Sequence, residues 1–164
     1  MFYNNENFDF VQSFEKNWKK IYSEYLAIRT NLVDWPEKNL YNGNWEVFGL
    51  FDWPTGKELT DNSKHCPFTT ELIKKSFKNS HGAAGFSRLM PKTKISPHTG
   101  YKGKFLRAHL GLEIPEGDCH LQVCDEKRKW NQGNMLIFDD KLLHSAWNLT
   151  DKERIVLLID FYYD

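Results

Sequence analysis

The sequence has no excess of charge of either sign. Its 22 Lys and Arg residues balance 22 Asp and Glu residues, so the formal net charge is zero. Proteins that bind nucleic acid or an anionic membrane surface usually carry a positive excess. We therefore expect neither of these partners.

The sequence also lacks an apolar run of the roughly 20 residues that a membrane-spanning helix needs. Its first residues, MFYNNENFDF, lack the basic and then apolar segments of a signal peptide. Only three cysteines are present, Cys66, Cys119 and Cys124, and their spacing is not that of a zinc site. These features predict a cytoplasmic protein with free thiols and no membrane association.

Aromatic residues, in contrast, are abundant. They make up 15% of the 164 residues, and apolar residues make up 40%, which excludes a disordered chain. This length predicts a single domain, 1–164, with one sizeable core. Apolar residues at three- and four-residue spacing predict a helix over 7–28. A second, short helix is predicted to begin at Thr69 or Thr70 and to end near Lys78.

Most of the remaining chain reads as short strands separated by turn residues. We predict strands over residues 45–51, 86–90, 94–98, 104–112, 120–124, 135–138, 146–148 and 154–162. This pattern is typical of an all-β core, and the number of strands fits a double-sheet jelly roll, cupin-like, with both helices packed outside. The jelly roll is a fold that holds metal sites in its mouth.

Five residues suggest the chemistry. His98 ends one predicted strand and His144 precedes another, so the two could bind one metal. Period-two alternation places Arg107 and His109 on one strand face, and Arg154 begins an apolar run. Imidazole suits Fe(II), and a guanidinium fork suits a carboxylate. The simplest chemistry that uses all five is a non-haem Fe(II) centre with 2-oxoglutarate.

Four segments carry a family resemblance: SRLMPKTKISPHTG, LRAHLGLEIP, WNQGNMLIFDDKLLHSAWN and DKERIVLLIDFYYD. They resemble the aspartyl/asparaginyl β-hydroxylases, a family of Fe(II)/2-oxoglutarate-dependent dioxygenases. The resemblance is clear from about Cys66 to the C-terminus and weaker back to Trp45 and the first helix. It implies the double-stranded β-helix fold, with Fe(II), 2-oxoglutarate and O2 as cofactor and co-substrates.

The resemblance implies that His98 and His144 are the metal ligands. Many related dioxygenases take a third ligand, a carboxylate, from two residues after the first histidine, where this sequence has Gly100. The family shares this gap, so water, a halide or a substrate group could fill it, and an aspartate introduced there could bind iron. Asp139 and Asp140 are expected to serve the turn or to support the ligands.

The resemblance also implies a site for the co-substrate. Arg154 is expected to pair with the distal carboxylate of 2-oxoglutarate, helped by the Ser87 hydroxyl. Arg107 and His109 are expected to hold the keto-acid end of 2-oxoglutarate. Arg107 is also expected to be a catalytic residue. Trp45 matches a tryptophan of the cleft, although a place in the core is the alternative.

Other interpretations of single residues stay open. Arg154 could instead pair with Asp151 or Glu153, and Arg107 could be an exposed edge residue. The remaining histidines, such as His81, are expected on the surface or in loops. Trp130 and Trp147 are expected to serve packing.

The implied reaction is hydroxylation of an unactivated carbon, such as the β-carbon of an Asp or Asn residue. Phe105 stands where a basic residue is expected to contact the substrate, which favours a free amino acid, a short peptide or another small molecule. The alternatives are an Fe(II)/2-oxoglutarate-dependent halogenase, with chloride beside Gly100, and a non-catalytic jelly-roll module that binds metal or keto acid. The sequence leaves the oligomeric state open.

Overall fold

The computed structural model describes residues 1–163. Within them the chain forms helices α1 (Val11–Lys16), α2 (Trp18–Ile28), α3 (Thr60–Ser63) and α4 (Pro67–Phe77). The strands are β1 (Phe2–Tyr3), β2 (Val33–Asp34), β3 (Tyr41–Asn42), β4 (Trp45–Phe51), β5 (His81–Leu89), β6 (Thr93–His98), β7 (Phe105–Glu113), β8 (Cys119–Val123), β9 (Glu126–Arg128), β10 (Met135–Phe138), β11 (His144–Asn148) and β12 (Arg154–Tyr162).

The strands form two antiparallel sheets. The larger has seven strands in the order β1-β10-β7-β12-β5-β4-β2, and the smaller has five in the order β3-β6-β11-β8-β9. Most neighbouring strands in the sheets are not consecutive in sequence, as in a jelly roll, so each sheet gathers residues from across the chain. The predicted double-stranded β-helix is therefore confirmed.

Strand β7 shows how the core divides around the larger sheet. Leu106, Ala108, Leu110 and Leu112 point to the outer core, where the buried residues of α2 and α4 also lie. The alternate residues Arg107 and His109 face the second core, between the two sheets. The predicted alternation is thus confirmed, and its polar face lies inside the protein.

The first helix differs from its prediction because it breaks at Asn17. Its backbone leaves the helical region there (φ −106°, ψ 13°), and its side-chain amide donates to the Ser13 carbonyl at 2.8 Å. An asparagine side chain that bonds to the nearby backbone competes with helix hydrogen bonds. The single helix predicted over 7–28 is therefore two helices, α1 and α2.

Helix α4 begins at Pro67, earlier than predicted, because its cap comes from another helix. The Glu24 carboxylate on α2 accepts from the backbone N–H groups of Phe68 and Thr69, at 2.9 and 2.7 Å. It also accepts from the Thr69 hydroxyl at 2.6 Å. The threonines that the sequence suggested as caps lie buried inside the helix.

Strand β5 begins five residues earlier than predicted, at His81. Its small residues from Gly82 to Gly85 resemble a loop in sequence, but they lie at the centre of the larger sheet, between β4 and β12. A Cβ at Gly85 would meet the backbone of Phe48, so close strand packing explains the small residue there. His81 is consequently buried in this strand, and its predicted surface position is wrong.

Residues 55–66, which lie outside every predicted helix and strand, contain the short helix α3. Among residues 1–163, no helix is long and apolar enough to cross a membrane. The three cysteines are unpaired in this part of the chain. Cys66 and Cys119 are buried, and burial raises the pKa of their thiols to about 12 and about 11.

Candidate functional site

His98 and His144 lie opposite each other on the neighbouring strands β6 and β11, and their ring centres are 4.4 Å apart. The Nδ1 atoms bond to the carbonyl oxygens of Ser96 and Leu142, at 2.7 and 2.8 Å. A carbonyl only accepts hydrogen bonds, so each Nδ1 carries the hydrogen and each Nε2 keeps its lone pair. Both rings are thus held in the tautomer that binds a metal through Nε2.

Burial also keeps His144 uncharged. It lowers the pKa of His144 to about 4, although the bond to the Leu142 carbonyl opposes the shift. A neutral imidazole is the form that binds a metal. Within residues 1–163 there is no group of three or more His, Cys, Asp or Glu side chains that could hold a metal. A metal here would therefore take two protein ligands, in line with the absence of a side chain at Gly100.

Arg154 is a buried cation without a carboxylate partner in the part of the chain that the structure describes. Only 2% of it is exposed. Its Nη2 donates to the hydroxyl and the carbonyl of Ser87, at 3.0 and 3.2 Å, and its Nε has no partner. The guanidinium lies 4.7 Å from the Trp130 ring centre. Burial lowers the pKa of Arg154 to about 10, because water stabilises its charge poorly there. An anion that entered the chamber would therefore interact with a partly desolvated cation.

The alternative ion pairs proposed for Arg154 are absent among residues 1–163. Asp151 instead pairs with Lys92 at 3.2 Å. Glu153 lies near Arg88 and Arg29, at 3.9 and 3.8 Å. Its neighbours in sequence therefore leave the Arg154 charge uncompensated.

Two further donors lie beside Arg154. The Ser87 oxygen accepts from Trp45 Nε1 and from Arg154, each at 3.0 Å, which leaves its own hydrogen free to donate. His109 Nδ1 accepts from Trp130 Nε1 at 3.1 Å, so its Nε2 carries the hydrogen; this atom is buried and has no partner. Burial holds the pKa of His109 well below its usual range, which keeps the ring neutral.

These groups line one small chamber between the sheets, together with His98 and His144. The rest of its wall is mainly apolar: Ile95, Leu121, Phe138, Ala146 and Leu158. The chamber therefore combines a possible metal site with a buried cation and two unpaired donors. This combination suits a small dicarboxylate that also reaches the metal.

Arg107 is bound by Asp160, an acid whose place at the site was not predicted from the sequence. Its cross-strand neighbour Asp160 accepts from Nε and Nη2 at 2.7 and 2.9 Å, and Asp140 lies 3.3 Å from Nη2. Burial opposes the charge, but these carboxylates outweigh it and raise the pKa of Arg107 above its usual value. Arg107 is buried, so its alternative position at an exposed edge is wrong. Asp160 is an acid among the mainly apolar residues of β12, and this unusual position is the sequence feature that could have identified it.

The acidic pair before His144 has two separate roles. Asp139 serves the turn, because its Oδ1 accepts from the backbone of Lys141 at 3.0 Å and lies 2.7 Å from its ammonium. Asp140 turns inward, and its backbone carbonyl accepts from the N–H of Gly100 at 2.7 Å. Its Oδ2 is buried without a hydrogen-bond partner.

A second cavity, here called the outer cleft, adjoins the chamber at His98. It shares Trp45, His98 and Arg107 with the chamber, and its other lining residues are Trp35, Glu37, Leu40, Trp53, Thr99, Gly100, Tyr101 and Asp140. Trp45 belongs to the core between the sheets and also lines both cavities, so its two interpretations are compatible. Its ring stacks on Trp35, with centres 4.2 Å apart.

Solved structures with similar folds include three jelly-roll proteins. A Pseudomonas putida prolyl-4-hydroxylase matches with a TM-score of 0.56 and 11% identity, over 90% of this chain and 88% of its own. A viral collagen prolyl hydroxylase from Paramecium Bursaria Chlorella virus-1, solved as a 2OG complex, has a TM-score of 0.51 and 17% identity, over 86% and 89%. A predicted oxalate decarboxylase from Thermotoga maritima has a TM-score of 0.53 and 12% identity, over 80% and 92%. These likenesses establish the fold alone.

Sequence comparison goes further. Aspartyl/asparaginyl beta-hydroxylase of Mus musculus is 33% identical over 162 residues, which cover 94% of this chain but 22% of that protein. An ornithine lipid ester-linked acyl 2-hydroxylase of Rhizobium tropici is 38% identical over 119 residues, 71% of this chain and 41% of its own. The chain thus spans less than half the length of these relatives. The sequence profile of the aspartyl/asparaginyl beta-hydroxylases matches residues 15–163. Because this match covers nearly the whole chain, the protein belongs to the aspartyl/asparaginyl β-hydroxylase family.

Proposed function

We propose that this chain is an Fe(II)- and 2-oxoglutarate-dependent hydroxylase that acts on an unactivated carbon of a small molecule or peptide. The observation that carries the proposal is Arg154, a buried cation without an acidic partner in the described chain. It lies in the same chamber as the paired histidines. An uncompensated buried charge is costly, so such a site is built for an anion that arrives from outside.

The iron would be held by Nε2 of His98 and of His144. Both rings fit this role because their Nδ1 hydrogens are already bonded to backbone carbonyls. When bound, Fe(II) with 2-oxoglutarate and O2 supplies the oxidant that hydroxylates a carbon, while 2-oxoglutarate becomes succinate and CO2. The protein contributes binding, orientation and the exclusion of water.

Different chamber residues would bind different groups of the co-substrate. Arg154 and the Ser87 hydroxyl bind the distal carboxylate, and His109 donates from Nε2 to the keto-acid end. Arg107 contributes its Nη1, because Asp160 already occupies its other two nitrogens. The apolar wall excludes water, which strengthens each of these charged contacts.

Asp140 favours hydroxylation over halogenation. A halide beside Gly100 would need hydrogen-bond donors and little competing negative charge. The Gly100 N–H already donates to the Asp140 carbonyl, and the Asp140 carboxylate fills the adjoining space. An anion there would meet a carboxylate rather than a donor.

The outer cleft favours an enzyme over a module that only binds metal or keto acid. It shares His98 and Arg107 with the chamber, so a second molecule bound there would lie beside the metal ligands. A sensor of keto acid would need the chamber alone.

We further propose that residues 1–164 form a single catalytic domain, and that the substrate is a free amino acid, a short peptide or an Asp/Asn-type residue.

Calorimetric titration with 2-oxoglutarate under anaerobic Fe(II), followed by a succinate assay in air, tests this function. Candidate amino acids and peptides are then screened for a mass gain of one oxygen. We expect binding, succinate and an oxygenated product. Failure of 2-oxoglutarate to bind contradicts the proposal, and binding without succinate supports the non-catalytic module.

A further inference from the structure

The outer cleft is lined by one cation, Arg107, and by two carboxylates, Glu37 and Asp140. Arg107 is paired with Asp160 and lies 3.3 Å from Asp140. Glu37, which also lines the cleft, acts on Arg107 through space and contributes to its raised pKa. The local balance is therefore negative, even though the whole chain is neutral.

One of these carboxylates, Glu37, keeps spare capacity to accept hydrogen bonds from a ligand. Glu37 is exposed, and within residues 1–163 its carboxylate makes no ion pair or hydrogen bond. The Oδ2 of Asp140 is buried and lies 3.3 Å from Nη2 of Arg107, so it already faces a cation. Glu37 is thus the acid at the cleft that is free to bind a second cation.

Aromatic rings form much of the remaining wall. The rings of Trp53 and Tyr101 have their centres 4.8 Å apart, and Arg107 already lies 5.1 Å from the Trp53 ring centre. Trp35 lines the cleft as well. The negative face of an aromatic ring attracts a cation, and a nearby carboxylate adds to this attraction.

The cleft offers little to an anionic substrate. Arg107 is the one Lys or Arg residue among its lining residues in the described chain, and three carboxylates already offset its charge. Phe105, at the position where a basic residue was expected, does not line the cleft. It packs on Tyr162, with ring centres 4.4 Å apart.

We propose that the outer cleft binds the substrate through a positively charged group, an ammonium or guanidinium, held by Glu37 and the rings of Trp53 and Tyr101. This inference rests on the proposed hydroxylase function, because that function makes the cleft a substrate site. It narrows the substrate class to amines and guanidines. It also disfavours an acidic side chain as the group that the cleft recognises.

Three probes of similar size test the charge preference: N-acetyl-L-lysine amide, N-acetyl-L-norleucine amide and N-acetyl-L-glutamate amide. Each is titrated into the full chain by calorimetry, with and without anaerobic Fe(II) and 2-oxoglutarate. We expect the lysine probe to bind about tenfold more tightly than the glutamate probe. Equal or reversed affinities, or no binding of the lysine probe, would overturn the proposal.

Two variants locate the preference in the cleft. Glu37→Gln keeps the shape but removes the charge, and Tyr101→Leu keeps an apolar contact but removes the ring face. Each should weaken binding of the lysine probe by about threefold or more and leave the norleucine probe unchanged. Glu71→Gln changes an exposed acid on α4 and is the matched control. A lysine preference that is undiminished in either cleft variant would contradict the assignment.

The result can be separated from the test of the hydroxylase function. Probe affinity is measured without turnover, and 2-oxoglutarate binding is measured without a probe. A protein that shows the charge preference but does not bind 2-oxoglutarate counts against the hydroxylase function. A missing charge preference in a protein that binds 2-oxoglutarate counts against the cation site alone.

Discussion

The side chain of Asp140 fills the space that a side chain at position 100 would need. A Cβ built on Gly100 would lie 2.7 Å from the Asp140 Cγ and closer still to its Oδ2. An aspartate introduced at position 100 could therefore bind iron only if the Asp140 side chain moved out of this space. A side chain at position 100 and the Asp140 carboxylate would overlap. A substitution at position 100 therefore needs a compensating change at position 140.

The first prediction follows from this contact. Gly100→Ala should lower the free energy of unfolding by about 1–3 kcal/mol, because overpacking a filled site forces its neighbours to move. Denaturant titration measures the loss. Adding Asp140→Ala should recover part of it, although the Asp140 carbonyl would still lie 2.9 Å from the new Cβ. A Gly100→Ala protein as stable as the parent would contradict this account of the packing.

Products formed in halide buffers test the same region. We expect hydroxylated product alone, even in high chloride or bromide, because the Asp140 carboxylate repels an anion beside Gly100. Mass spectrometry of the turnover mixture distinguishes a gain of one oxygen from a gain of one halogen. A halogenated product would refute both the hydroxylase function and the role assigned to Asp140.

Replacing Arg154 should act on the co-substrate and not on the metal. Arg154→Ala removes the chamber's unpaired cation, and the loss for a carboxylate that it binds is about 2–5 kcal/mol. Calorimetry with 2-oxoglutarate measures this change, and metal analysis checks that iron is retained. Arg128→Ala, whose half-exposed side chain does not line the chamber, is the control. Unchanged 2-oxoglutarate affinity would show that the distal carboxylate binds elsewhere.

The histidine pair predicts the opposite pattern. His98→Ala or His144→Ala should abolish iron-dependent succinate formation and reduce the iron retained after anaerobic reconstitution, because each variant removes one of two protein ligands. His65→Ala, at an exposed site, should retain both. A variant at His98 or His144 with full activity would not have lost a ligand.

The metal-free protein should lose stability as the pH falls below about 6.5, the ordinary pKa of histidine. Burial lowers the folded-state pKa of His109 and His144, so the unfolded chain takes up these protons first. Each histidine then contributes a slope of up to about 1.4 kcal/mol per pH unit. His109→Gln should reduce the slope measured by urea titration between pH 7.5 and 5. An unchanged slope in His109→Gln would mean that this ring is not held neutral by folding.

Local sequence pattern determined much of this architecture. A strand alternates its side chains with a period of two, so apolar residues at every second position of β7 were enough to place Arg107 and His109 on one face. The strand β12 was predicted with its observed bounds because Ile155–Ile159 is continuously apolar. Local pattern did not predict the strand at Gly82–Gly85, because these small residues resemble a loop in sequence. Their extended conformation depends on the neighbouring strands that pack on both sides.

Only the tertiary structure decided which groups at the site remain unpaired. Asp160 binds Arg107 from 53 residues away, and Trp130 occupies one nitrogen of His109 from 21 residues away. Arg154, in contrast, meets no acid among residues 1–163. Sequence could nominate the charged and polar side chains, because residue type fixes what each can donate or accept. Their partners depend on strand register and sheet packing, which bring distant residues together and leave the Arg154 cation exposed to the chamber alone.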